Sequence, residues 1–296
     1  MAKTEEFKLF PGCTIGNRIP FIEASARKVF DKLGIKTSDA DFACCPDPVG
    51  FNSVDHESWL SMGARNLTIA EEESKDIVSL CNGCFQTLKA VNHELKHNSH
   101  IREKINANLK LINREYKGII NVKHFVEVLH DLGAEKIKEH VTHDFSSLKV
   151  ACHTGCHYNR PSEIMQTDDP MEPVKLRELV EATGATIVDY TEEMLCCGSG
   201  VGNVEEAPSM QILSNKFKSA IGAGAEAFIV ICPACFQQMD TNQKKAGTQS
   251  NSEFKIPILY LTELMALSFG VNPDDIGLKF HRARPTELLV KLGLTQ

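Results

Sequence analysis

Ten of the eleven cysteines in this 296-residue chain fall into one order, written twice. Cys13 is followed by the adjacent pair Cys44-Cys45 and then by Cys81-Asn82-Gly83-Cys84. Cys156 is followed by Cys196-Cys197 and then by Cys232-Pro233-Ala234-Cys235. Only Cys152 stands outside the pattern. Clustered cysteine in a reducing compartment does metal or redox chemistry, because structural disulfides are rare there. No apolar leader with a small-residue cleavage site opens the chain, so the expectation is a cytoplasmic protein with free thiols.

The ligand count narrows the chemistry. A mononuclear zinc site takes four donors in a tetrahedron, one fewer than each set offers. Adjacent residues of an extended segment also point their side chains apart, which suits two metals better than one. A polynuclear iron–sulfur cluster removes both difficulties, since neighbouring thiolates can bind different irons. An ordinary cubane needs four thiolates, so a fifth implies a non-standard cluster. A thioredoxin-like reading of the CxxC pairs leaves three cysteines of each set unused. Iron–sulfur is therefore the favoured reading, with zinc the competing one.

The elements that must position these thiols repeat as well. Asp76 to Leu80 and Ala227 to Ile231 are short apolar runs that read as buried strands leading into each CxxC. Val49-Gly50 and Val201-Gly202 follow the paired cysteines. Phe125 to Leu129 and Leu261 to Met265 are apolar runs passing into helices. Amphipathic helical spacing runs over Ile22–Leu33, Trp59–Glu73, Pro173–Thr183 and Ala207–Ala223. Strand and helix thus alternate, which predicts α/β architecture with largely parallel sheets. The expectation is two duplicated α/β (Rossmann-like) halves, residues 1–145 and 146–296, related by an approximate twofold with the cluster sites between them. The charged stretch from His93 to Lys117 reads as a helical insertion in the first half.

Other groups complete the candidate site. His153 and His157 flank Cys156, and an unperturbed imidazole near pH 6.5 suits proton donation at neutral pH. Histidines so placed equally serve by hydrogen bonding to backbone or cluster sulfur. Cys152 reads as a small buried residue of a strand. Arg18 and Arg160 occupy matching places after Cys13 and Cys156, and a guanidinium grips carboxylate or phosphate bidentately. The run Gly198-Ser199-Gly200-Val201-Gly202 lacks the spacing of a dinucleotide-binding loop. A net charge of −7 argues against nucleic acid as the main partner, and no apolar run is long enough to span a membrane. No ferredoxin-type cysteine run is present to feed electrons inward, so an electron-delivering partner is expected.

These segments together resemble the CCG-domain family, named for the triad seen here as Cys196-Cys197-Gly198. Pro11-Gly12-Cys13, Cys44-Cys45-Pro46, Cys152-His153-Thr154-Gly155-Cys156-His157 and Cys232-Pro233 extend the resemblance over the full length to the B subunits of methanogen-type heterodisulfide reductases. The resemblance implies that each five-cysteine set holds a noncubane [4Fe-4S] cluster. It implies a small-molecule disulfide substrate, the mixed disulfide of coenzyme M and coenzyme B, and a role in methanogenesis. It also implies two partners from the same enzyme, a ferredoxin-like C subunit and a flavin-containing A subunit. Relatives use the same motif on other substrates, such as fumarate. Pro46 departs from the pattern, where the second set has Gly198.

Overall fold

The computed structural model describes residues 6–294. The expectation that the chain opens without a leader therefore falls partly outside the described residues, as do the outer ends of the two expected halves.

Two four-stranded sheets are built alike. The first contains β1 (Glu6–Phe10), β2 (Lys36–Ser38), β3 (Ile77–Ser79) and β4 (Val122–His124), in the order β2-β1-β3-β4. The second contains β5 (Lys149–His153), β6 (Thr186–Ile187), β7 (Ala227–Val230) and β8 (Ile258–Tyr260), in the order β6-β5-β7-β8. Every pairing is parallel: Leu9 lies opposite Val78 in the first sheet, and Cys152 opposite Ile229 in the second. The central strands β3 and β7 are buried throughout, because helices cover both faces of a parallel sheet.

In this order the chain leaves β1 toward one edge and returns past it to β3. The crevice beyond the carboxyl ends of β1 and β3 is therefore a topological switch point, where open α/β sheets hold ligands. All three cysteine motifs of the first half follow strand ends: Cys13 after β1, Cys44-Cys45 after β2 and the CxxC after β3. The second half repeats this after β5, β6 and β7.

The halves exchange helices reciprocally. Helix Phe21–Leu33 of the first half buries Ile22, Ala26, Val29 and Phe30 and packs on helix Leu261–Ser268 of the second. Helix Lys175–Ala182 of the second half packs in turn on helix Phe125–Asp131 of the first. Such mutual exchange is what a twofold between like halves produces. Inside the first contact the Ser25 and Thr262 hydroxyls hydrogen-bond at 2.7 Å, so neither polar group is left unsatisfied. A single hydrophobic core runs through both halves.

The stretch from His93 to Lys117 is not a separate insertion. Helix Asn82–His97 and helix Ser99–Lys110 follow the first CxxC, and helices Pro233–Thr241 and Gln243–Ser250 follow the second. The charged stretch lengthens a helix pair that both halves possess. Past β8 the chain folds back so that His281 sits between the rings of Phe21 and Phe236, at 4.9 and 5.0 Å. Its Nε2 pairs with the fully buried Glu263 carboxylate at 2.9 Å.

Candidate metal centre

Each set begins with a glycine in a conformation that other residues avoid. Gly12 has φ 80°, ψ 163° and Gly155 has φ 77°, ψ 158°, a region open essentially to glycine alone. There is also no room for a side chain. A Cβ on Gly12 would stand 2.7 Å from Cys84 Sγ, and one on Gly155 would stand 2.8 Å from Asn82 Nδ2 and 3.5 Å from Cys235 Sγ. The backbone is thus pressed against the thiols, and Cys13 and Cys156 open short helices immediately after it. In each CxxC the first cysteine, Cys81 or Cys232, is the N-cap of the following helix. A thiolate there lies in the favourable field of the helix N-terminus.

Within each half the five thiols are in contact as a chain. In the first, Cys13 adjoins Cys44, Cys44 adjoins Cys45, Cys45 lies 3.0 Å from Cys84, and Cys84 adjoins Cys81. In the second, Cys156 adjoins Cys196, Cys196 adjoins Cys197, Cys197 lies 3.3 Å from Cys235, and Cys235 adjoins Cys232. The chains come together at Cys81 and Cys232, whose thiols act on each other across the boundary between the halves. Ten thiols from six loops thus form one continuous line. All are free; the 3.0 and 3.3 Å separations are far longer than a sulfur–sulfur bond of about 2.05 Å.

Mutual hydrogen bonding sorts the thiols by acidity. Bonding to Cys44 and then to Cys84 draws the Cys45 thiol down to about 4. Cys196 accepts from Cys156 and Cys197 and is drawn down to about 2. Cys232 is held well below the ordinary thiol range by donation from Cys235 and then Cys81. The donors are pushed up in turn, Cys197 to about 12 by its bond to Cys196. In each half this mutual bonding favours the thiolate form of one or more cysteines, which is the state that binds metal.

The predicted histidines sit differently from one another. His153, at the end of β5, is buried, and burial, reinforced by the charge of Lys216, pushes its imidazole down to about 3. Neither ring nitrogen has a hydrogen-bond partner. One of them lies within 4.8 Å of the Cys197 and Cys235 sulfurs, which are as close to each other. His157 is half-buried and reaches across the boundary, its Nδ1 3.9 Å from where a Cβ of Gly83 would be. Arg18 and Arg160 are both exposed, at the ends of the short helices begun by Cys13 and Cys156. Cys152 is fully buried in β5, and burial pushes its thiol up.

Two residues that the cysteine pattern does not point to hold the junction together. Tyr260, at the end of β8, sets its hydroxyl against the carbonyl oxygens of both Leu80 and Ile231, the residues just before the two CxxC motifs. His124 holds the matching place at the end of β4, fully buried, with Nε2 unpartnered. Both open helices through capping boxes, with Glu127 and Glu263. The repeated pairs His124-Phe125 and Tyr260-Leu261, each with a glutamate two residues on, were the available signal.

The departure at Pro46 has a structural counterpart. Gly198 has φ 86°, and its N–H donates to Cys196 Sγ at 3.3 Å. Proline can neither take that φ nor donate. The first loop instead buries Pro46, whose carbonyl accepts from Thr87 Oγ1 at 2.9 Å.

Residues 7–89 and 150–240 match the CCG family, described as a cysteine-rich domain. The chain is 37% identical to the B subunit of a ferredoxin/F(420)H(2)-dependent CoB-CoM heterodisulfide reductase of Methanosarcina acetivorans, over 97% of each chain. This protein belongs to the CCG-domain family. It is also 28% identical to the 8-methylmenaquinol:fumarate reductase membrane anchor subunit of Wolinella succinogenes, over 96% of this chain and 99% of that one. No helix among the described residues is long and apolar enough to cross a membrane. A hypothetical protein from Helicobacter pylori shares the fold, with a TM-score of 0.75 at 17% identity; the match covers 95% of this chain and about half, 52%, of that one.

Proposed function

We propose that the chain is the catalytic component of a heterodisulfide reductase, and that it splits the mixed disulfide of coenzyme M and coenzyme B at two noncubane [4Fe-4S] clusters. The single observation that carries this reading is the unbroken line of ten thiols, five from each half, joined at Cys81 and Cys232. The donors fit the clusters. Each set offers one thiolate more than a cubane or a zinc ion takes, glycine lets the backbone approach the sulfurs closely, and the unpartnered His153 ring lies beside those of Cys197 and Cys235. Cys13, Cys44, Cys45, Cys81 and Cys84 would hold one cluster, and Cys156, Cys196, Cys197, Cys232 and Cys235 the other.

Reduction of a disulfide to two thiols takes two electrons and two protons. Bound clusters supply electrons singly, which is the reason for two of them side by side. The chain's own residues supply the remainder. Arg18 and Arg160 hold the anionic ends of the substrate at the mouths of the two sites. His157, half-buried and at the boundary, is placed to deliver a proton. His153, buried and neutral, orients a cluster by hydrogen bonding. Electrons arrive through the ferredoxin-like C subunit, with the flavin-containing A subunit beyond it.

Anaerobically purified protein should contain about eight irons per chain, four for each cluster, with matching labile sulfide. With a reduced dye it should release two thiols for every heterodisulfide consumed. Stoichiometric zinc in place of iron would overturn the reading. Loaded clusters without disulfide turnover would favour the second reading, a component of a fumarate reductase, which the Wolinella relative supports.

A further inference from the structure

Helix His56–Glu71 of the first half and helix Glu206–Gly222 of the second hold equivalent places between a cysteine pair and the strand leading to a CxxC. Their buried positions run in the same spacing: 59, 60, 63, 64, 66 and 67 against 209, 210, 213, 214, 216 and 217. In both, one polar side chain on this face grips the loop that enters the cysteine pair. In the first half it is Asn66, fully buried, which accepts from Ala43 N–H at 2.8 Å and donates to the Cys44 carbonyl at 3.0 Å. In the second it is Lys216, 1% exposed, whose ammonium donates to the Glu192 carbonyl and lies 3.5 Å from that of Glu193.

The scaffolding role is shared but the charge is not. Among the described residues no carboxylate pairs with Lys216; the nearby Glu193 carboxylate is taken by Arg177 at 3.0 Å. The ammonium stands 5.4 Å from the centre of the Tyr190 ring, and the Cys197, Cys235 and Cys196 thiols are among the groups whose negative charge acts on it. Burial pulls its pKa down to about 8, against the attraction of those sulfurs. A buried ammonium with no carboxylate paired to it is costly unless other anions offset it, and the Cys197 and Cys235 thiols act on it more strongly than the Glu192 carboxylate. Beside the corresponding first-half loop stands Arg65, which is partly exposed and already bonded to the Asp41 carbonyl at 2.8 Å. Water screens it, whereas Lys216 acts through protein.

We propose that Lys216 is a positioning residue that makes the two cluster sites electrostatically unequal, raising the reduction potential of the cluster held by Cys156, Cys196, Cys197, Cys232 and Cys235. This inference rests on the two-cluster reading above. Reduction adds negative charge, and a fixed buried cation stabilises the reduced form. The Gly198 N–H to Cys196 Sγ acts in the same direction, and Pro46 denies the first set its equivalent. The second site is then the one that fills first with an electron.

The test is a spectroscopically monitored redox titration of the anaerobic, cluster-loaded protein. Lys216→Gln keeps a donor for the Glu192 carbonyl and removes the charge, and Lys216→Arg keeps the charge. The Gln variant should lower one cluster's midpoint so that its reduction equilibrium falls about tenfold or more, about 59 mV for one electron. The other cluster and the Arg variant should stay at the unaltered values. Iron lost from the Gln variant but retained in the Arg variant would also support the proposal. Unchanged potentials in the Gln variant, equal shifts in both variants, or iron loss in both would overturn it and leave Lys216 a packing residue. Absence of iron from the unaltered protein would sink the two-cluster reading itself, a separate outcome.

Discussion

The Tyr260 hydroxyl donates to the Ile231 carbonyl at 2.7 Å, in the residue just before Cys232. The same oxygen touches the Leu80 carbonyl just before Cys81, so one phenol steadies the approach to both CxxC motifs. Tyr260→Phe should leave these buried carbonyls short of a donor, at a cost of about 1–3 kcal/mol. Denaturant unfolding of the variant and the parent protein measures it; equal midpoints would show that the hydroxyl holds nothing.

The buried pair of His281 and Glu263 predicts a pH dependence of stability. Burial opposes the charged imidazole, but the carboxylate beside it outweighs burial and raises the pKa above the ordinary 6.5. A raised pKa means that the pair's contribution is fully present below about pH 6.5. It is lost as pH rises through the folded-state value. His281→Gln should therefore cost most near pH 6, about 3–5 kcal/mol for breaking a buried pair. The difference from the parent protein should shrink toward pH 9. A constant difference across that range would mean that the ring acts only by packing between Phe21 and Phe236.

Gly12→Ala sets a Cβ 2.7 Å from Cys84 Sγ in a backbone conformation with φ 80°. Strain of about 1–3 kcal/mol and displacement of the thiol should follow. Iron content should fall at the first set while the second keeps its cluster spectrum. Retention of both clusters at full occupancy would show that the loop yields more easily than its contacts indicate.

Arg18→Ala or Arg160→Ala should raise KM for an anionic disulfide roughly ten- to a hundredfold, the range of a charge-assisted contact. Iron content should be unchanged, and lysine should rescue only in part, since a point charge lacks the bidentate fork. If kcat falls instead and the cluster spectra change, these arginines support the clusters rather than the substrate.

Much of the fold was legible because parallel strands buried on both faces leave uninterrupted apolar runs. Asp76 to Leu80 and Ala227 to Ile231 stand out for that reason, and the cysteines after them mark the strand ends. Gly12 and Gly155 lie in the segments that carry the family resemblance, which do not show why glycine is required there. What stayed hidden lies between the halves. Nothing in the spacing places Cys81 against Cys232, or the Tyr260 hydroxyl against Leu80, 180 residues away in the chain. Lys216 was hidden by its type, since lysine on an amphipathic helix reads as solvent-facing. Its place three residues after Leu213 and four before Ala220, both buried, was the overlooked sign.

The reciprocal helix exchange has a consequence for how such a site can evolve. In a homodimer of this architecture, every substitution would appear on both sides of the axis at once. A charge acquired beside one cysteine set would necessarily be acquired beside the other. Covalent linkage in one chain keeps the paired geometry and removes that obligation, so each copy can drift by itself. Asn66 opposite Lys216, and Pro46 opposite Gly198, are differences that only a broken symmetry permits.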